Sequence, residues 1–221
     1  REIVRILTEL TAVLRGDVEG LNRIEEYLTK VDMLRAKARW ALDNGAVKPI
    51  ISTEGRLLLR KARHPLLEQT LKSQGKAIVP LDMELNAERR ILVISGPNAG
   101  GKSVCLKTTG ILQYMVQCGF LVPVLENSEF PLFDSLVIDI GDQQSLENDL
   151  STYSSHLVNM KAMLAEASEH TLIMIDEFGS GTEPTIGGAI SESILERFVE
   201  RKAYGVITTH YANIKYFASR N

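Results

Sequence analysis

The chain has 221 residues, 44% of them hydrophobic, with 25 Lys and Arg against 28 Asp and Glu for a net charge of −3. That suffices for a real core, in one large domain or one domain with an appendage, and it gives no global basic field to draw the chain onto nucleic acid. No apolar run approaches the ~20 residues of a membrane span, and Cys105 and Cys118 lie too far apart along one predicted helix to pair, which fits free thiols in a reducing cytoplasm.

From Arg1 to about Asp43 apolar residues recur three or four apart. Ile3, Ile6, Leu7, Leu10, Val13 and Leu14 mark one stripe; after Gly16 and Gly20, Leu21, Ile24, Leu28, Val31, Leu34, Ala38 and Leu42 mark a second. This spacing predicts a helical arm of two segments whose stripes pack inside a larger helical domain. Asn44-Gly45 ends the arm, and Pro49 disfavours a restart of helix. We therefore divide the chain into a helical segment, 1–45, and an α/β domain, 46–221. The first residue is not Met and the pattern breaks off at Asn221, which suggests a piece of a longer protein cut short at the end of this domain.

The second domain opens with short predicted strands at Arg56 to Lys61, Ala77 to Leu85 and Arg90 to Ile94. After the last of these comes GPNAGGKS, Gly96 to Ser103, followed by a helix from Lys102 to Gln117. Strand, glycine loop and helix are the setting in which GxxxxGK[ST] binds a nucleoside triphosphate. Gly96, Gly100 and Gly101 let backbone N–H groups close around phosphates at a positively polarised helix N-terminus, with Pro97, Asn98, Ala99 and Val104 completing the loop. Lys102 would neutralise phosphate charge and the Ser103 hydroxyl would ligate Mg²⁺.

Strands are expected next at Leu121 to Leu125 and Leu136 to Ile140, then a helix from about Leu146 to Ser168. That helix carries the hydroxyl-dense run Ser151-Thr152-Tyr153-Ser154-Ser155, which suits a helix cap or a phosphate contact. The buried strand Thr171 to Ile175 ends in Asp176-Glu177. At the carboxyl end of a parallel strand such a pair can share the phosphate-loop crevice, Asp176 holding Mg²⁺ and Glu177 orienting or deprotonating the attacking water; otherwise it is two solvated carboxylates. Gly179-Ser180-Gly181-Thr182 is either a turn or a loop that reports nucleotide state. A helix from Thr185 to Arg201 and a strand from Tyr204 to Thr208 follow, so strands alternate with helices around a parallel core. His210, just beyond, could sense the γ-phosphate or be an exposed loop residue. His64, His156 and His170 have no cysteine or carboxylate cluster at ligand spacing, so no zinc site is expected.

Together ISGPNAGGKS, IGDQQSLENDLSTYSSH, LIMIDEFGSGTEPT and ITTHYANIK, in this order, resemble the ATPase domain of the MutS family, an ABC-type ATPase, and most closely its type-two bacterial branch. The likeness covers roughly residues 50–221, with the 1–45 segment matching the helical core and lever. It implies Mg²⁺-dependent ATP hydrolysis in a homodimer, each ATP held between the phosphate loop of one subunit and Ser151 and Thr152 of the other. By the same match Gln144 occupies the loop that couples the site to the arm, Asn98 lies within the phosphate loop, Glu177 is the hydrolytic carboxylate, and His210 is the switch histidine. The resemblance further implies DNA as partner, branched or mismatched and bound through parts outside this chain, in repair or recombination control. A ribosome- or RNA-associated factor with little turnover is the alternative. Where the family places an aromatic platform for adenine, this chain has Ile78 and Val79.

Overall fold

The computed structural model describes residues 1–97, 100–140 and 149–220, of which 149–155 by backbone alone. Two compact units divide between Gly45 and Ala46. In the first, helix α1 (Glu2–Leu14) passes through a single 3₁₀ turn (Arg15–Asp17) into helix α2 (Val18–Asp43). The break falls at Gly16 as the stripes predict, while Gly20 is absorbed into α2. On the surface of α1, Arg5 pairs with Glu2 and Glu9 at helical spacing. The apolar stripes remain exposed: Ile3, Leu7, Leu10, Leu14, Leu21, Ile24, Leu28, Val31 and Leu34 all face outward. Two consecutive helices leave their own apolar faces without a third element to cover them, so the packing expected of the stripes is not made within this unit.

The second unit contains strands β1 (Ile50–Ser52), β2 (Leu57–Ala62), β3 (Leu81–Leu85), β4 (Ile91–Ser95), β5 (Glu129–Pro131), β6 (Ser135–Asp139), β7 (Thr171–Ile175) and β8 (Tyr204–Thr209). Its helices are α3 (Pro65–Ser73), α4 (Lys102–Gln117), α5 (Asp149–Glu166), α6 (Pro184–Glu200) and α7 (Ala212–Arg220). The strands form two sheets, a small mixed one in the order β1-β5-β2-β3 and a fully parallel one in the order β4-β8-β7-β6.

The parallel sheet is covered on both faces, as continuous apolar strands require. On β7, Leu172 and Met174 pack with Leu106 and Leu112 of α4 and with Leu57, Leu59 and Leu85 of the small sheet. Ile173 and Ile175 point the other way, into Met160 and Met163 of α5, Leu195 and Phe198 of α6, and Ile214 of α7. This period of two gives each face its own core. Helix α4 also fits closely against β7, where a Cβ on Gly110 would come within 2.8 Å of the Met174 sulfur.

The expected strand at Leu121 to Leu125 is not formed. Pro123 has no N–H to donate to a ladder, and the stretch scatters its bonds: Val122 bridges Val47, while the Pro123 carbonyl accepts from Arg63 and the Leu125 N–H donates to the Arg60 carbonyl. Helix α3, not expected from the sequence, starts where the His64 ring accepts the Leu67 N–H and Pro65 fills the first turn. The three-residue strands β1 and β5 pair with each other in parallel, an association that neither run could signal alone.

Candidate nucleotide site

The parallel sheet aligns the carboxyl ends of four strands. Ser95 of β4 pairs with Thr209 of β8, Ile207 of β8 with Ile175 of β7, and Ile175 with Asp139 of β6. Gly96, Asp176-Glu177 and His210, each just past its strand, thereby come to one edge. Strand order explains the contact: β8 lies between β4 and β7, so its end faces the glycine loop on one side and the acidic pair on the other.

Gly101 caps α4 at φ 80°, in the left-handed region that a residue without Cβ adopts freely. Lys102 is buried. Its ammonium donates to the Gly96 carbonyl and lies 3.2 Å from Nε2 of His210. An ammonium only donates, so Nε2 of His210 accepts. Ser103, in the first turn of α4, and Gly96 are half-buried, while Pro97, Gly100 and Val104 are exposed. Asn98, Ala99 and Gln144 lie outside the described residues, and Ser151 and Thr152 stand in the first turn of α5 with their side chains undescribed.

Across β8, Thr208 holds the acidic pair. Its buried hydroxyl donates to the Asp176 carboxylate and accepts the Glu177 N–H at 2.8 Å. Glu177 itself adopts φ 52°, an uncommon conformation for a side chain of this size, and its carboxylate is exposed. The turn beyond is tied back to the β8 end: the Phe178 N–H donates to the Thr208 carbonyl at 2.8 Å, Thr209 donates to the Phe178 carbonyl, and the Tyr211 hydroxyl donates to the Gly179 carbonyl. Gly179 sits at φ 89°, and a Cβ there would collide with Ser191 and Tyr211. The glycine run that follows the acidic pair is thus a packed turn at its start.

On the far side, Asp139 closes β6 as Asp176 closes β7. Its carbonyl accepts the Asp176 N–H at 2.9 Å, and its buried carboxylate meets Nδ1 of His156 at 2.9 Å and Nδ2 of Asn159 at 3.3 Å. Nε2 of His156 has no partner among the described residues. Thr208 and Asp139 are not among the site residues that the sequence singles out. The signal for Asp139 was an acidic residue closing the apolar run Leu136-Val137-Ile138, the same pattern that drew attention to Asp176. Thr208 lies within ITTHYANIK, but its residue type marks no role, since threonine is an ordinary strand residue.

The donor set suits a triphosphate with Mg²⁺. A buried ammonium beside a glycine-capped helix N-terminus provides for phosphate charge. One hydroxyl and one carboxylate, Ser103 and Asp176, could supply the sparse protein ligation that suits Mg²⁺ when phosphates and water complete its shell. Among the described residues no group of three or more His, Cys, Asp or Glu side chains forms a self-sufficient metal cage, and no helix is long and apolar enough to cross a membrane.

Sequences of known proteins resemble that of this chain. A family model described as MutS domain V matches residues 92–221. A protein named Endonuclease MutS2 from Shouchella clausii is 45% identical over 99% of this chain, one of the same name from Acetivibrio thermocellus 41% over 98%, and one from a Geobacillus species 43% over 97%. The chain spans only 27% of the length of each of these relatives.

Proposed function

This chain belongs to the MutS family, and from that premise we propose that residues 46–221 bind ATP with Mg²⁺ and hydrolyse it, as the nucleotide switch of a protein that handles DNA. The observation that carries the reading is the convergence, at one sheet edge, of Lys102 with Gly96 and His210 and of Thr208 with Asp176 and Glu177.

In this reading the loop Gly96 to Val104 wraps the phosphates and Lys102 neutralises them. Ser103 and Asp176 would hold Mg²⁺, which would supply charge stabilisation for phosphoryl transfer. Glu177, pointed into solvent by its backbone, orients the attacking water and takes its proton. His210 shares the lysine ammonium and so registers whether a γ-phosphate has drawn Lys102 away from Gly96. Two subunits face each other, with Ser151 and Thr152 of each completing the site of the other, and Gln144 links occupancy to the arm. Closure is driven by the extra affinity of ATP for the closed dimer, which is how the site moves a distant DNA clamp outside this chain. Strand cleavage, which the relatives' name carries, is not assigned to any residue here.

The test is Glu177→Gln in the full-length protein. We expect ATP affinity within about threefold of wild type and hydrolysis reduced by about 10²-fold or more, the scale of a lost general base. Equal turnover in the two proteins, with contaminating ATPases excluded, would overturn the assignment.

A further inference from the structure

We propose that Asp139, His156 and Asn159 form a register lock that fixes the pose in which α5 presents Ser151 and Thr152 to the nucleotide of the partner subunit. The proposal rests on the composite dimer site described above. Helix α5 packs on the sheet and on α6 largely through Met160, Met163 and Ala167. Apolar burial of this kind is non-directional and tolerates rotation and sliding of a helix. The fork on Asp139 does not. His156 and Asn159 are three residues apart, hence on one face of α5, and both reach the same buried carboxylate, one at each oxygen. A carboxylate at the end of a strand, gripped at both oxygens from one helix face, sets the helix's rotation and its axial position together.

Ser151 and Thr152 stand about one turn ahead of His156 on the same helix, so the lock sets their position directly. Asp139 also joins this helix to the hydrolytic edge. Its carbonyl accepts the Asp176 N–H, and Asp176 in turn is held by Thr208, which receives the Glu177 N–H. Nor is stability a sufficient reason for the fork, because a buried polar pair is commonly no more stabilising than apolar residues of the same volume. Its distinctive contribution is geometric.

The experiment uses full-length protein co-expressed with two different tags, so that mixed dimers can be purified. His156→Ala is expected to lower turnover at least about tenfold while its own phosphate loop binds ATP within about threefold of wild type. His156→Gln, which keeps a donor within reach of Asp139, is expected to recover most of that loss. The decisive sample is the mixed dimer of His156→Ala with Lys102→Ala. If His156 acts through the helix it presents in trans, the intact loop of one subunit meets the intact helix of the other, and activity returns to about half of wild type, one working site of two. The mixed dimer of Ser151→Ala with Lys102→Ala is the reference. Restoration in the reference but not with His156→Ala would place the role of His156 within its own subunit and overturn the proposal while the composite site stands. Wild-type turnover by His156→Ala alone overturns it as well. Failure of the reference pair to complement removes the composite site, and the register lock with it. Should His156→Ala not fold, Asp139→Asn, nearly unchanged in volume, takes its place in the same mixed dimers.

Discussion

The hydroxyl of Thr208 faces two groups at once, donating to the Asp176 carboxylate and accepting the Glu177 N–H. One γ-oxygen thus ties the placement of Asp176 to that of Glu177, the two carboxylates to which the proposed mechanism gives the metal and the proton. Thr208→Val keeps the shape and removes it. The Glu177 N–H is then left without its acceptor, at a cost of about 1–3 kcal/mol, and the left-handed turn at Glu177 loses its restraint. Hydrolysis at saturating ATP is expected to fall about tenfold, with Thr208→Ser restoring it; unchanged turnover in Thr208→Val would show that the turn alone holds Glu177. Lys102 and His210 illustrate a different point. Both were legible in the sequence, one from its motif and the other from its place after a strand, yet their hydrogen bond required β8 to lie next to β4.

Among the elements, α6 matters because it starts directly after the turn that carries Glu177 and Gly179. Glu183 caps it, accepting the N–H groups of Thr185 and Ile186. Those two donors hold its carboxyl below the ordinary value of 4.5. A carboxyl depressed in the folded state stabilises above its unfolded value, and that contribution disappears as pH falls through the folded value. Glu183→Gln should therefore melt below wild type at pH 7, and the gap should close progressively below pH 4.5. A gap constant down to pH 3 would mean that the cap's charge contributes nothing. Helix α4 shows where element-level reading succeeds and where it stops. Its start at Lys102, within GPNAGGKS, followed from the motif, whereas the close fit of Gly110 against Met174 came from the facing strand.

For the molecule as a whole, two cores flank one parallel sheet, and the cysteines report on one of them. Cys105 lies on α4 and burial pushes its thiol up to about 11, while Cys118 is exposed at the helix end. Alkylation at pH 8 followed by mass analysis should label Cys118 promptly and Cys105 about a hundredfold more slowly, because so little of a thiol of that pKa is thiolate. Equal labelling of both would contradict the packing of α4 between the sheets. The first unit behaves differently, since its apolar stripes are exposed along both helices. Their period marked the helices correctly, while the packing expected of the stripes is not made within this unit.

By itself the sequence determined the alternation of strands and helices, the place of the GPNAGGKS motif between a strand and a helix, and the acidic pair at a strand end, because these are encoded in local periodicity, glycine chemistry and short motifs. The parallel α/β class followed from the same signals. Only the tertiary structure decided that Thr208 joins Asp176 to Glu177, that Lys102 meets His210, and that Asp139 links α5 to the strand end that carries Asp176. Those contacts depend on the strand order β4-β8-β7-β6, in which neighbours in space are far apart in the chain. Pro123 likewise turned an apolar run into irregular backbone, since a strand needs a partner for each N–H and here the partners lie on different segments.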